Sequence, residues 1–378
     1  MSATTTTPKF EILRSKHEFE TCEQDWNALF EKAGRGPHLF QTYNWLWHWL
    51  QLRGDANLCL LTGRLEGELV LIAPLVLEKT SGLKIVKWAG EPVSQYGDIL
   101  IKNHIDNLQW LKQGFNYLKE TLSPDLFHLR KTRFDASIHP LLENYNATIL
   151  EEMVAPYIEI LGAKTFTEFN KRYSQRSRKS KRRHRRKLEE KGTLNFQLYK
   201  EGEQAHQAAN LAIKLKRQWL EAQNIISPAF RDDFLDRFFA STSKDNNHPC
   251  GLRLSELSLD DQPVALEIGI VNKNYYGAHL GVYDRQYIAH SPGTLQMQDT
   301  IAELIKKKID IIDLFAPGDK YKFEWTDQSV PVYDFAFSLT LKGKLYEQVY
   351  LKGLRPKLKQ AITKISDIKQ ALKKKRPT

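Results

Sequence analysis

Glu267, His279 and Tyr283 bring a carboxylate, an imidazole and a phenol into one short stretch, VALEIGIVNKNYYGAHLGVYD. Val264, Leu266, Ile268 and Ile270 alternate with Ala265, Glu267, Gly269 and Val271. Tyr276, Ala278, Leu280 and Val282 alternate in the same way, so the pattern predicts two half-buried strands. Asn272-Lys273-Asn274 reads as a short hairpin loop. With three loop residues Val271 opposes Tyr275, which sets Glu267 opposite His279, Gly269 opposite Gly277 and Ala265 opposite Gly281 on one face. Such a face joins two general acid–base groups to a floor of small residues on which a ligand can lie. The same pair also fits a solvated cross-strand contact. Tyr283 falls on the His279 face, where its hydroxyl can protonate a leaving group.

The elements around the hairpin complete the picture. Ser291, Pro292, Gly293 and Thr294 open a helix carried on by Leu295, Ile301, Leu304 and Ile305, and Ile309 to Phe315 reads as a further strand. The first amide groups of that helix form an anion site suited to a pyrophosphate or carboxylate. A pantetheine-like arm along Gly269, Gly277 and Gly281 would bring its phosphates to Ser291, Gly293 and Thr294.

Composition places the chain among ordinary globular proteins, with 378 residues, 41% hydrophobic and 27% charged. Cys22, Cys59 and Cys250 match no metal or redox spacing, and the polar start MSATTTTPKFEILRSK has no apolar signal core. A cytoplasmic protein without a metal is expected. The longest greasy run, Leu69 to Leu77, contains Pro74 and falls short of the roughly 20 residues that span a bilayer.

The net charge of +11 gathers in two places, the run RSRKSKRRHRRK from Arg176 to Lys187 and the C-terminal tail. Basic side chains in the run point to every side of a helix, so no amphipathic stripe is expected. A solvated helix, a phosphate clamp and a nucleic-acid contact all fit; no zinc finger, RNA-recognition motif or interleaved aromatics accompany it. In the tail, Leu354, Leu358, Ile362, Ile365 and Leu372 keep helical spacing among lysines, which suits packing on the protein or contact with an anionic membrane surface.

The first half reads as a helix from Phe19 to Ala33, a Trp-rich core helix around Trp45 and Trp49, strands, the helix Leu108 to Leu122 and the strand Leu126 to Leu129. Its element order echoes the second half. The expected division is 1–160, a basic helical connector at 161–193, a second domain at 194–345 closed by a strand from Val332, and a basic tail from 346.

Several short motifs carry a resemblance. They are the Ser-Pro-Gly helix start, Ile311-Ile312-Asp313-Leu314, the closing Gly318-Asp319-Lys320-Tyr321-Lys322-Phe323-Glu324-Trp325, and upstream Phe40-Gln41-Thr42-Tyr43-Asn44-Trp45, Ala73-Pro74-Leu75 and Tyr96-Gly97-Asp98. Together they resemble the GNAT-type acyltransferases of the CelD/BcsL group, associated with cellulose biosynthesis and related to the Fem-type peptidyltransferases. The resemblance implies a mixed α/β fold of two GNAT-like domains, each a mixed central sheet flanked by helices. It implies transfer of an acyl, typically acetyl, group from CoA to an amine or hydroxyl of a small-molecule or polysaccharide-related acceptor. Tyr96, Asp98, Asp313 and Lys322 would then contact substrate. The sequence departs from the common GNAT pattern where an Arg/Gln-x-x-Gly-x-Gly/Ala loop holds the pyrophosphate, and has Ala289-His290-Ser291-Pro292-Gly293-Thr294 there. A longer acyl-CoA, an acyl carrier protein or an aminoacyl-tRNA therefore stays open as donor. So does a non-catalytic protein that binds RNA or an anionic polymer.

Overall fold

The computed structural model describes residues 7–55, 57–160, 162–358 and 360–361. Two compact units divide the chain, one made of residues 1–154 and 330–368, the other mainly of residues 155–329. The first begins with β1 (Lys9–Leu13), α1 (Lys16–Thr21), α2 (Glu23–Ala33), α3 (Tyr43–Arg53), β2 (Leu60–Leu65), β3 (Glu68–Ala73), β4 (Leu75–Thr80) and β5 (Leu83–Trp88). It continues with β6 (Leu100–Ile101), α4 (Asn107–Leu122), β7 (Leu126–Arg133) and α5 (His139–Asn144). β8 (Thr148–Glu159) carries the chain into the second unit, which holds α6 (Phe166–Asn170), α7 (Gln175–Glu189), β9 (Leu194–Tyr199), α8 (Glu203–Ala222) and α9 (Phe234–Lys244). There follow β10 (Leu252–Leu259), β11 (Gln262–Asn272), β12 (Tyr275–Tyr283), α10 (Pro292–Lys306) and β13 (Ile311–Asp313). β14 (Ser329–Ser338) and α11 (Leu341–Leu345) return the chain to the first unit.

Both units have mixed sheets, as expected. In the first, β1-β2-β3-β6 is antiparallel, while β4-β5-β7-β14 contains the parallel pair β5–β7. Trp110, Leu111 and Phe115 of α4 bury themselves with Leu61, Val70 and Phe127 of the strands. In the second the order is β8-β13-β12-β11-β10-β9, antiparallel except where β12 meets β13. The division differs from the expected one at two places. The strand expected to close the second domain pairs instead with β7, Phe335 opposite Leu129 and Ala336 opposite His128. Residues 161–193 are no separate connector, because α7 is built into the second unit.

The way α7 is held corrects the expectation of a helix without a stripe. Leu188 is fully buried with Leu257, Leu259, Val264, Ala265 and Leu295. One turn earlier Arg185 donates to both oxygens of Asp299 in α10 at 2.7 Å, and one turn before that the Lys181 ammonium lies over the rings of Tyr173 and Trp325. Lys181, Arg185 and Leu188 stand four and three residues apart, so an inward stripe exists and two of its three members are basic.

α10 takes one face of the sheet. Leu295 packs with Leu257 and Ala265, and Met297, Ile301 and Leu304 pack with Tyr276 and Ile312. The other face of the same strands falls to α8, which buries Ala205, Ala208, Ala209, Ala212 and Ile213. No helix among the described residues is long and apolar enough to cross a membrane.

Leu188→Ala should cost about 2–5 kcal/mol in chemical denaturation, because it empties a fully buried site. Arg185→Ala should cost under about 1 kcal/mol, since that pair is partly exposed. The reverse ranking would mean that charge and not burial docks α7.

Candidate active site

The hairpin turn has two residues, not three. Asn272 pairs with Tyr275 around Lys273 and Asn274, and Lys273 has a left-handed φ of 52°. Val271 thus opposes Tyr276, Ile270 opposes Gly277 and Gly269 opposes Ala278. A bulge then inserts His279, so that Ile268 opposes Leu280, Glu267 opposes Gly281 and Ala265 opposes Tyr283. Because side-chain direction alternates at every residue, these two one-residue slips redistribute the expected face. Glu267, Gly269, Gly281 and Tyr283 lie on the α10 face. Gly277 lies on the other, opposite Ile270. His279 packs its ring on Phe239 of α9 at 5.2 Å and on Phe315 at 6.1 Å. The expected cross-strand pair of Glu267 and His279 therefore does not form, and Tyr283 accompanies the carboxylate instead of the imidazole.

Glu267 is 4% exposed, and the Tyr276 hydroxyl donates to its Oε1 at 2.6 Å. That phenol crosses Gly269 so closely that a Cβ there would stand 1.9 Å from the hydroxyl oxygen. Burial raises the carboxyl to a pKa of about 7, and the tyrosine hydrogen bond opposes the rise. Beside Glu267 the face is open, since a Cβ on Gly281 would meet nothing within 4 Å. Past it, the Tyr283 ring lies 3.5 Å from the point where a Gly293 Cβ would project, which puts this phenol under the first turn of α10. Tyr276 is the residue that sequence reasoning missed. Its place in an alternating strand gives no hint of a partner nine residues earlier.

β12 and β13 pair only from Tyr275 to Gly277 against Ile311 to Asp313. Beyond that point β13 ends, and the edge of β12 from Ala278 onward has no strand beside it among the described residues. Asp313 and Lys322 shape the bend that turns the chain away. The Asp313 carboxylate accepts from the Tyr275 hydroxyl at 2.5 Å and from the Phe315 amide at 2.7 Å. Lys322 Nζ donates to the carbonyls of Phe315 at 2.9 Å and Pro317 at 2.7 Å. Lys322 is 5% exposed, and its burial depresses the ammonium pKa. Both side chains are turned into the protein, which is the structural alternative to the substrate contacts expected of them.

A cavity of about 360 Å³ opens between α7 and the start of α10, lined by Arg176, Ser180, Lys181, His184, Ser291 and Thr294 among others. Ser291 occupies the cap position with a left-handed φ of 50° and its side chain makes no capping bond. The expected serine cap is thus absent; Pro292 has no N–H, the Thr294 and Leu295 amides donate to the Ser291 carbonyl at 3.0 and 3.2 Å, and the Gly293 amide is the first-turn donor left to another acceptor. Lys181 Nζ sits 3.8 Å from the Trp325 ring centre and 4.2 Å from that of Tyr173, with no hydrogen-bond partner. Burial lowers its pKa to about 8, against the pull of Glu324.

Tyr96 and Asp98 belong to the first unit. Asp98 accepts from His38 Nε2 at 2.9 Å, from Arg35 at 3.2 Å and from the amides of Ile99, Ser137 and Ile138. Burial works against its ionisation, but the bonds from His38 and Ser137 and the charge of Arg35 keep its pKa below the ordinary value. His38 Nδ1 accepts from the Arg35 amide at 3.1 Å, so both ring nitrogens are engaged. This cluster latches three chain segments together. Tyr96 is 3% exposed, with the Arg133 guanidinium 5.1 Å from its ring centre.

Residues 175–323 match the family profile described as an acetyltransferase (GNAT) domain. The fold of the longer chain is similar to the crystal structure of FemX, with a TM-score of 0.60 at 10% identity over 86% of this chain and 98% of that one. L-PGS from Bacillus licheniformis gives 0.53 at 11% identity, covering 86% and 95%. A conserved protein of unknown function from Bacteroides thetaiotaomicron gives 0.54 at 11% identity, covering 87% and 100%. No curated protein matches the sequence.

The buried carboxyl has a thermodynamic signature. Its folded pKa of about 7 exceeds the ordinary 4.5, so its contribution to stability is fully present below about pH 4.5 and is lost as pH rises through 7. The loss amounts to about 3 kcal/mol. Glu267→Gln keeps an acceptor for Tyr276 and cannot ionise, so it should gain about that much relative to wild type between pH 5 and 8 in urea denaturation. Parallel pH curves for the two proteins would show that the carboxyl ionises freely.

Proposed function

We propose that the chain is an acyltransferase in which the GNAT domain of the second unit moves an acyl group, acetyl as the simplest case, from a thioester of CoA to an amine or hydroxyl. The CelD/BcsL resemblance suggests a small-molecule or polysaccharide-related acceptor. The observation that carries the reading is the Glu267 carboxyl, buried beside open space with a pKa near 7. A group so poised accepts a proton near neutrality and holds it weakly enough to pass it on. Glu267 takes the proton from the attacking amine or hydroxyl, directly or through a water. Tyr283, on the same face, donates to the departing thiolate. The edge of β12 beyond Gly277, where β13 has ended, offers main-chain groups to an extended arm. The cavity at the first turn of α10, with Lys181 and Arg176, fits the phosphates of such a donor. Asp313 and Lys322 act as positioning residues that fix the bend beyond β13, and Tyr96 and Asp98 do the same in the first unit.

One observation favours a larger donor. The outer side of α7 leaves Arg176, Lys179, Arg182, Arg183, Arg186 and Lys187 exposed in a row beside the cavity. A polyanion such as an aminoacyl-tRNA would engage them, whereas CoA is too small to reach them all.

Glu267→Gln should lower kcat by roughly 10²- to 10⁴-fold with little change in KM, and should abolish a rise of kcat/KM through about pH 7. His279→Ala should keep most of the activity. If His279→Ala is dead and Glu267→Gln is active, the base is misassigned.

The donor can be found by thermal shift with acetyl-CoA, longer acyl-CoAs and charged tRNA. A true ligand at a hundredfold excess over Kd adds about 2.7 kcal/mol to stability. Lys181→Gln should weaken that ligand about tenfold or more. A shift with tRNA alone selects the second reading, and no shift with any of them refutes both.

A further inference from the structure

From Leu341 to Leu358 the chain forms one continuous helical rod that docks on the first unit by a single side, while Ile362, Ile365 and Leu372 of the expected tail helix lie outside the described residues. Gly343, Glu347 and Leu351, spaced four apart, are buried. Gly343 lies so near the body that a Cβ there would stand 2.2 Å from the Asp125 carbonyl oxygen. Glu347 accepts from the hydroxyls of Thr148 at 2.8 Å and Ser338 at 2.5 Å. Leu351 joins Leu83, Ile85, Leu126 and Ala336 in a small core.

The outward side is the unusual one. Leu341 is 91% exposed, Leu345 66%, Val349 51%, Leu354 50% and Leu358 55%. In an α-helix Leu345 and Leu354 would face opposite ways, because nine residues make about two and a half turns. From Tyr346 to Leu354 the backbone is instead a π-helix, with the Arg355 amide bonded to the Tyr350 carbonyl. Its wider turns close about two revolutions over the same span, which brings Leu345, Val349 and Leu354 into one line. Isolated exposed leucines need no explanation, whereas five exposed apolar side chains along one helix, three of them brought into line by the π segment, do.

The charges beside the row have one sign. Lys342, Lys344, Lys352 and Lys357 are exposed, and Glu347, the sole acid between Leu341 and Leu358, is turned inward and 1% exposed. A basic rim around an apolar ridge on a surface helix is complementary to an anionic lipid headgroup layer over acyl chains. It is poorly suited to a second copy of itself, which would set lysine against lysine.

We propose that the outward side of the helix from Leu341 to Leu358 is a membrane-docking surface that seats the protein on an anionic bilayer. The test is sedimentation of the full chain with vesicles of phosphatidylcholine alone, or of phosphatidylcholine and phosphatidylglycerol at about three to one. The wild type should bind the anionic vesicles, bind neutral ones far more weakly, and lose affinity as salt is raised. Leu341→Glu with Leu345→Glu should weaken binding at least about tenfold without changing the thermal midpoint, since both side chains are already in solvent. Lys352→Gln and Lys357→Gln should each cost about fivefold on anionic vesicles only. The proposal is overturned if the wild type stays in the supernatant with anionic vesicles at low salt. Self-association that the double leucine variant abolishes would also overturn it, by making a second copy the occupant. The readout needs no turnover, so it stands or falls apart from the acyltransferase reading.

Discussion

Gly269 permits the contact on which the site depends. Its missing side chain lets the Tyr276 ring cross the strand and place a hydroxyl on Glu267. A buried carboxyl without a donor would be driven further toward the neutral acid, and a well-solvated one would sit near its ordinary pKa. The tyrosine bond and the burial together leave it near neutrality. α10 enforces the burial by packing Met297, Ile301 and Leu304 against the same tyrosine. In this way one strand glycine, one phenol and one helix face set the protonation state of one carboxyl.

Much of this was legible in the sequence, and the rest failed for identifiable reasons. Alternation in residues 264–271 and 276–282 gave both strands, Ser-Pro-Gly gave the start of α10, and Glu267 stood out as a carboxylate in an apolar run. The facing of the residues did not follow, because it depends on counts of one. A two-residue turn in place of three, and one extra residue at His279, moved the imidazole to the other side of the sheet. Hydrophobic patterning is blind to both, since either register keeps the strands half apolar.

The basic run teaches a different limit. Pattern reading counts charge as outward, and nine basic residues in twelve left no inward side to find. Lys181 and Arg185 nonetheless point in, because Tyr173 and Trp325 offer ring faces and Asp299 a carboxylate. Two of those three partners lie more than a hundred residues further along the chain, where no local window sees them. The first-unit motif shows the same blindness in another form. Tyr96 and Asp98 match a family pattern, yet the five donors around Asp98 come from segments near residues 35, 98 and 137 and give it a latching role.

The pairing of β14 with β7 has a consequence for how the protein is made. Phe335 and Leu129 are partners across a strand ladder, but the ribosome delivers them with the whole second unit in between. The second unit has all its strands as soon as β13 emerges and, once Leu314 and Trp325 have followed, can close its core while synthesis continues. The first unit, though begun earlier, waits with the side of β7 that β14 will cover unpaired until the last strand arrives. An open edge of that kind is where a nascent chain is exposed to wrong partners, and the N-terminal half keeps it until β14 has been made.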